Sequence, residues 1–235
     1  MHDLVDAFTA AFQMLVHLDP DLFEIIGRSL EVSLGALLLA ALVGFPLGAA
    51  VALLVFPGRR VAAVLLNALM GLPPVVVGLF VYLMLSRSGP AGGLGWLFTA
   101  KAMVVAQFLL ITPIVAALTR QVMQDLWEEY EMQLRSLGAG PLRAIPTLLW
   151  DGRHRLVTTL LAGFGRAIAE VGAVIIVGGN IAHVTRVMTT AIALETSKGD
   201  LALAMALGLV LIAISILVNG AAALLDGMGR RREAL

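Results

Sequence analysis

The stretch GFGRAIAEVGAVIIVGGN, residues 163–180, consists almost wholly of small and aliphatic side chains, yet it holds Arg166 and Glu170. Any reading of the fold has to accommodate a full positive and a full negative charge in a run apolar enough for a bilayer. On a helix, positions i and i+4 share a face, so these two side chains can pair directly. Alone, each would cost about 2.5–3.5 kcal/mol or more near a bilayer centre. Paired, they are net neutral and mutually hydrogen-bonded. Ala162, Gly165, Ala169 and Gly172 form an adjoining strip of small residues along which another helix can approach closely. The pair is therefore expected to face that neighbour or a pathway, and not lipid.

The rest of the chain has the same character. Of 235 residues 60% are hydrophobic and only 14% are charged, with a mean hydropathy of +0.95. Soluble domains carry about 25% charged residues, so the balance points to a membrane protein. Lys+Arg and Asp+Glu are equal at 16 each, which leaves no net charge to attract nucleic acid. Cysteine is absent, which excludes disulfides, thiolate metal sites and cysteine nucleophiles. The opening MHDLVDAFTAAFQ is acidic where a secretory signal would be basic. Leu4, Val5, Phe8, Ala11, Phe12, Leu15 and Val16 fall at helical spacing. Residues 1–27 are thus expected to hold an amphipathic helix, lying on the extracytoplasmic membrane surface or on the protein itself.

A transmembrane helix needs about 20 predominantly apolar residues. Five segments reach or approach that length: 29–56, 61–85, 102–119, 156–181 and 201–225. The expected fold is an all-α membrane protein with five transmembrane helices. Ten Lys and Arg residues collect on one side, at 59–60, 120–155 and 230–232, against five on the other, Arg28, Arg87, Lys101, Arg186 and Lys198. That bias puts the N-terminus outside and the C-terminus, with a tail at 226–235, in the cytoplasm. Pro46, the GLPP run at 71–74 and Pro113 are expected to interrupt the first three spans. Asn67, Gln107 and Asn219 bring polar groups to membrane depth. They serve either as helix–helix glue or in a path lined by broken helices.

The one long polar stretch, 120–155, faces the cytoplasm in this topology. Leu126, Tyr130, Leu134 and Leu137 recur there at helical spacing. Gly138 then suits a left-handed, helix-terminating position, and Pro141 the first turn of a second, short helix. Within this knob EMQLRSLGAGPLRAIPTLL, residues 131–149, resembles the cytoplasmic signature of permease subunits of type I binding-protein-dependent ABC importers. That signature has a Glu, two small residues, a Gly seven positions after the Glu, and a Leu-Pro pair further on. Glu131, Gly138 and the SLGAG run match. Gln133 and Leu134 stand where the family has two alanines, and Trp150-Asp151 where it has Leu-Pro. The opening stretch, together with TRVMTTAIALETSKGDLALA at 185–204, is similar to the tungstate-transport branch of these permeases.

The resemblance covers about residues 28–225 and implies the type I ABC importer permease fold, in the inner (cytoplasmic) membrane. It also implies two partners, a separate ABC ATPase subunit with a cleft for the knob and an extracytoplasmic substrate-binding protein. Five helices alone make a thin pore, so a permease homodimer is expected. Carried over, Glu131, Arg135, Gly138, Ala139, Gly140 and Arg143 belong to the ATPase-coupling loop, and Arg166, Glu170 and Asn180 to the translocation pathway or gate. Two roles for the charged pair stay open. Arg166 helps an oxyanion past the inner gate, or the pair sets helix packing and gate geometry. Packing is favoured, because Glu170 cancels most of the field an anion would feel.

The chain itself is not expected to be an enzyme or to hold a cofactor. A P-loop lysine follows a glycine, whereas Lys101 follows an alanine and Lys198 a serine. His2, His17, His154 and His183 are scattered, with no ligand-like pair. The expected cargo is a tetrahedral oxyanion, tungstate first, with molybdate or another oxyanion as the alternative. A different class, a self-contained secondary transporter, would use the charged pair for ion coupling. Such a carrier has no need of the knob, and no internal repeat of the kind many carriers show is present.

Overall fold

The computed structural model describes the backbone of residues 2–17 and 19–233 and the side chains of residues 8–17 and 19–225. Ten α-helices follow one another among the described residues. They are α1 (His2–Val16), α2 (Pro20–Leu53), α3 (Arg59–Leu69), α4 (Pro74–Leu85), α5 (Ala100–Ser136), α6 (Pro141–Asp151), α7 (Arg153–Ile168), α8 (Gly172–Gly178), α9 (Met188–Lys198) and α10 (Leu201–Glu233). A single 3₁₀ turn, Gly92–Leu94, precedes α5, and no strand occurs among the described residues. Three helical stretches are long and apolar enough to cross a membrane: α2, α5 and Leu201–Leu225 of α10. The number becomes five if the pairs α3–α4 and α7–α8, each bent by more than 40° at its break, count as one span apiece.

Local chemistry explains most boundaries. α2 begins nine residues before the apolar run does, because Asp19 caps it. The Asp19 carboxylate accepts the Asp21 and Leu22 N–H groups at 3.0 and 3.1 Å, and Pro20 occupies the first position, where its missing donor is not needed. At GLPP the chain does break. Pro73 is extended at φ −65°, ψ 121°, and Pro74 opens α4. Pro46 and Pro113, by contrast, interrupt nothing: α2 runs through the first and α5 through the second. Each proline removes one donor from a helix that continues against dense packing. A Cβ on Gly44 would lie 2.8 Å from Val115 Cγ1, and one on Gly48 2.4 Å from the Ala116 carbonyl oxygen. Beside Pro113, the Thr112 hydroxyl donates to the Phe108 carbonyl at 2.7 Å. The N-terminal helix forms, with Ala11 buried and Phe8, Phe12 and Val16 exposed. The side chains of Leu4, Val5 and the arginines at 230–232 lie outside the described ones.

The described residues group into two units. One combines the chain up to Ala36 with Pro73–Gln107 and Arg166–Leu217. Its core includes Leu22, Val32, Met103, Val174, Val177 and Met188, all fully buried. α4 and α8 touch through glycines: a Cβ on Gly78 would stand 2.8 Å from Ala173 Cα, and one on Gly172 3.0 Å from Val75 Cγ2. The other unit combines Leu37–Leu72 and Phe108–Gly165 with the chain from Val218. There Ala49, Ala52 and Leu53 of α2 meet Val122, Met123 and Leu126 of α5, Ala144 and Leu148 of α6 and Leu156 of α7. The helix expected from the 126–137 periodicity is the last part of α5. Its Tyr130 and Leu134 pack on this cluster, whereas Leu137 is 82% exposed. In the small strip at 162–172, a Cβ on Gly165 would meet nothing within 4 Å. The close approach falls at Gly163 instead, whose Cβ would be 3.1 Å from Ile111 and 3.2 Å from Leu37.

Candidate functional site

The fourth apolar run is not one helix. α7 stops at Ile168 and α8 starts at Gly172, so Glu170 lies in the break and does not continue a helical face beyond Arg166. The ion pair nevertheless forms, between Arg166 Nη1 and Glu170 Oε2, with the Arg side chain 36% exposed and the Glu side chain 3% exposed. No proline causes the break. Glu170 stands just before Val171, the N-cap of α8, and its other oxygen, Oε1, accepts the Ala173 N–H at 3.1 Å in the first turn of that helix. The carboxylate thus meets a guanidinium on one side and a helix N-terminus on the other, both favourable to negative charge.

Apolar surroundings require that backbone groups freed by a break find partners inside the protein. Here they do. The Ala167 carbonyl accepts the Glu170 N–H at 3.1 Å and the Gln107 side-chain amide at 3.0 Å. The Glu170 carbonyl accepts the Thr189 hydroxyl at 2.8 Å. Asn180 sits in a left-handed turn at φ +50° and donates from Nδ2 to the Thr190 carbonyl at 3.3 Å. Asparagine tolerates that conformation better than most residues. Glu170 and Asn180 therefore hold consecutive residues at the start of α9. Two buried acceptors in this region, Gln107 Oε1 and Asn180 Oδ1, have no protein partner among the described residues. Thr189, Thr190 and the capping role of Glu170 escape a reading based on hydrophobic periodicity. A threonine pair in a helix's first turn, and an acidic residue three before Ala173, were the available signals.

The α5–α6 corner has its own geometry. Gly138 is left-handed at φ +77°. Its N–H bonds to the Arg135 carbonyl at 3.0 Å, and the Ala139 N–H reaches back to the Leu134 carbonyl at 2.9 Å. These two bonds are those of a Schellman motif. Gly140 is the N-cap of α6, Pro141 its first residue, and the Arg143 N–H bonds to the Gly140 carbonyl at 3.0 Å. Glu131 pairs with Arg135 at 2.7 Å, and Arg135 lies over the Trp127 ring. While Ala144 and Leu148 anchor α6, Met132, Leu137 and Leu142 stand exposed around the corner, and Trp150 is exposed in the last turn of α6, under Arg153.

One group among the described residues has metal-ligand chemistry: Asp21, Glu24 and His183 bring their ligand atoms within 4.8 Å of one another, all exposed. His183 Nδ1 already bonds to Glu24 at 2.8 Å, and that bond raises the imidazole above its usual range. Nearby, buried Glu195 faces Lys198 at 3.0 Å and Arg186 at 3.7 Å.

Comparison with known proteins adds a family to this geometry. Residues 44–228 match the family described as the binding-protein-dependent transport system inner membrane component. The tungstate uptake system permease protein of Peptoclostridium acidaminophilum is 42% identical, over 93% of this chain and 96% of its own length. The protein of the same description from Campylobacter jejuni is 37% identical, over 92% of this chain and 90% of its own. A probable anion ABC transporter permease protein of Haloferax volcanii is 39% identical, over 84% of this chain and 88% of its own.

Proposed function

Because this chain belongs to the family of binding-protein-dependent transport system inner membrane components, we propose that it is the multi-pass permease subunit of an ATP-driven importer for tungstate. One observation carries the coupling part of this reading. The corner between α5 and α6 exposes Met132, Leu137 and Leu142 among Glu128, Glu129, Glu131, Arg135 and Arg143. So many charges exclude a lipid-facing surface, and exposed apolar anchors rimmed by charge suit a protein partner. The partner is the separate ATPase subunit. Tungstate as cargo is supported by the two relatives named for tungstate uptake.

In this reading the chain crosses the membrane five times with its C-terminus and the 120–155 coupling loop in the cytoplasm. Residues 1–27 precede the transmembrane domain at 28–225, and a homodimer completes the pore. A binding protein delivers the oxyanion from outside. Closure of the ATPase displaces α6, whose Ala144 and Leu148 move with the α2, α5 and α7 residues they pack on. α7 carries Leu156 of that cluster near one end and Arg166 in its last turn. Arg166, Glu170 and Asn180 sit at or beside the gate, at the break between α7 and α8 and the start of α9. The part-exposed guanidinium retains donors for a passing dianion, and Glu170 keeps it from holding that anion tightly.

Cells lacking the chain should lose high-affinity uptake of radiolabelled tungstate and regain it with the chain restored. Molybdate should compete less well and sulfate poorly. Unchanged tungstate uptake, with loss of sulfate or molybdate uptake, would overturn the cargo. Reporter fusions after residues 90 and 190 should read outside, and after 58 and 140 inside. An outside signal at 140 would overturn the coupling loop, since an ATPase cannot dock there.

A further inference from the structure

The turn between α2 and α3 opens into a recess of about 650 Å³ that has no part in the site above. Three arginines line it, Arg59, Arg60 and Arg120, and no carboxylate does. Among the described residues none of the three forms an ion pair. Arg59 is held rigidly: its Nε donates to the Val51 carbonyl at 2.9 Å and its Nη2 to the Ala52 carbonyl, which ties it across the C-terminal end of α2. Arg120 donates from Nη1 to Gln124, while its buried Nε has no partner among the described residues. Arg60 is exposed. The N-terminus of α3 adds its own partial positive charge, with left-handed Gly58 leaving the approach open.

Next to this positive end the walls are apolar. Val55, Phe56 and Val61 line the recess. The outward face of α3 continues the same character with Val64 at 66% and Leu65 at 53% exposure. We propose that this recess binds the phosphate headgroup of an anionic phospholipid, with an acyl chain lying along Val61, Val64 and Leu65. The uncommitted Arg60 fork matches phosphate oxygens in pairs, with the remaining donors of Arg59 and Arg120 beside it, and basic pockets beside membrane helices favour anionic headgroups. A free tetrahedral oxyanion would satisfy the arginines equally, but gains nothing from the valine and phenylalanine walls. The apolar walls are what favour the lipid. The inference rests on the chain being a membrane permease, and on neither its cargo nor its ATPase coupling.

The test uses the purified full-length permease in nonionic detergent. Dioleoyl phosphatidylglycerol, dioleoyl phosphatidylcholine and inorganic phosphate are titrated separately, with bound lipid read by native mass spectrometry and thermal stability followed alongside. Phosphatidylglycerol should be retained in preference to phosphatidylcholine, which has the same chains and no net charge. Millimolar phosphate should neither displace it nor reproduce its thermal shift. Arg60→Gln removes a side chain that bonds to nothing else among the described residues, so its lipid-free stability should match wild type. Its affinity for phosphatidylglycerol should fall about fivefold, and that of Arg60→Gln with Arg120→Gln about 25-fold, from about 1 kcal/mol per basic residue. Equal retention of the two lipids, or undiminished phosphatidylglycerol binding by both variants, overturns the proposal. Phosphate that competes fully overturns the lipid in favour of a free anion. A failure to import tungstate leaves these binding results untouched, so the two readings fail separately.

Discussion

Glu170→Gln should shift stability in opposite directions depending on whether Arg166 is present. In the native chain the Glu170 carboxylate is 3% exposed and accepts from Arg166 and from the Ala173 N–H. Glutamine keeps the shape and one oxygen for the α8 cap, so what disappears is the charge-assisted bond. The Arg166 side chain, 36% exposed, can turn away. The loss is about 1.5–3 kcal/mol. Arg166→Ala is worse, because it strands a buried carboxylate with only one backbone donor, at about 3–5 kcal/mol. In that background Glu170→Gln removes the uncompensated charge and keeps the cap, so it should recover about 2–3 kcal/mol. For a chain of this size, each kcal/mol is about 2–4 °C in Tm. Thermal unfolding of the four proteins in detergent measures the cycle, and tungstate uptake by the same four separates the roles. A pair that only packs predicts that uptake returns with stability in the double variant. An Arg166 that handles the anion predicts a stable but slow double variant. If Glu170→Gln destabilises both backgrounds equally, the two residues are uncoupled and the account of the break is wrong.

Gly138→Val places a β-branched residue at φ +77° where no atom lies within 4 Å of a Cβ, so its defect is conformational, about 1–2 kcal/mol, and local. Membrane levels should stay normal while binding-protein-stimulated ATP hydrolysis falls severalfold, and Gly138→Asn should retain most of it. Gly48→Ala drives a methyl to 2.4 Å from the Ala116 carbonyl oxygen and should lower stability by about 1–3 kcal/mol. Gly165→Ala, which meets nothing within 4 Å, should leave Tm unchanged or slightly raised. His183, held by Glu24 with Asp21 adding and Arg186 opposing, titrates above 6.5. Its raised value means that the contact contributes fully below pH 6.5 and is lost as pH rises through the folded-state value. An NMR titration should show this, and Glu24→Gln should bring the imidazole back down.

What could be read in the sequence divides by how far apart the deciding groups lie. The Gly138–Pro141 corner was legible because one residue's sterics decide each part of it: a left-handed glycine and a proline whose φ suits a first turn. The α2 start was equally local, in Asp19-Pro20, but a search for apolar runs passes over it. Pro46 and Pro113 show the same local rule overruled, since the bonds each removes are few against the contacts that Gly44 and Gly48 allow with α5. The break beside Glu170 shows the opposite limit. The spacing of Arg166 and Glu170 foretold a pair, and the pair exists. But opening the helix there leans on Gln107, far upstream, and Thr189, well downstream, which supply donors to the carbonyls of Ala167 and Glu170. Periodicity along one segment cannot register donors on two others. A charge inside an apolar run therefore says that partners exist, and the chain's return passes decide whether those partners straighten the helix or divide it.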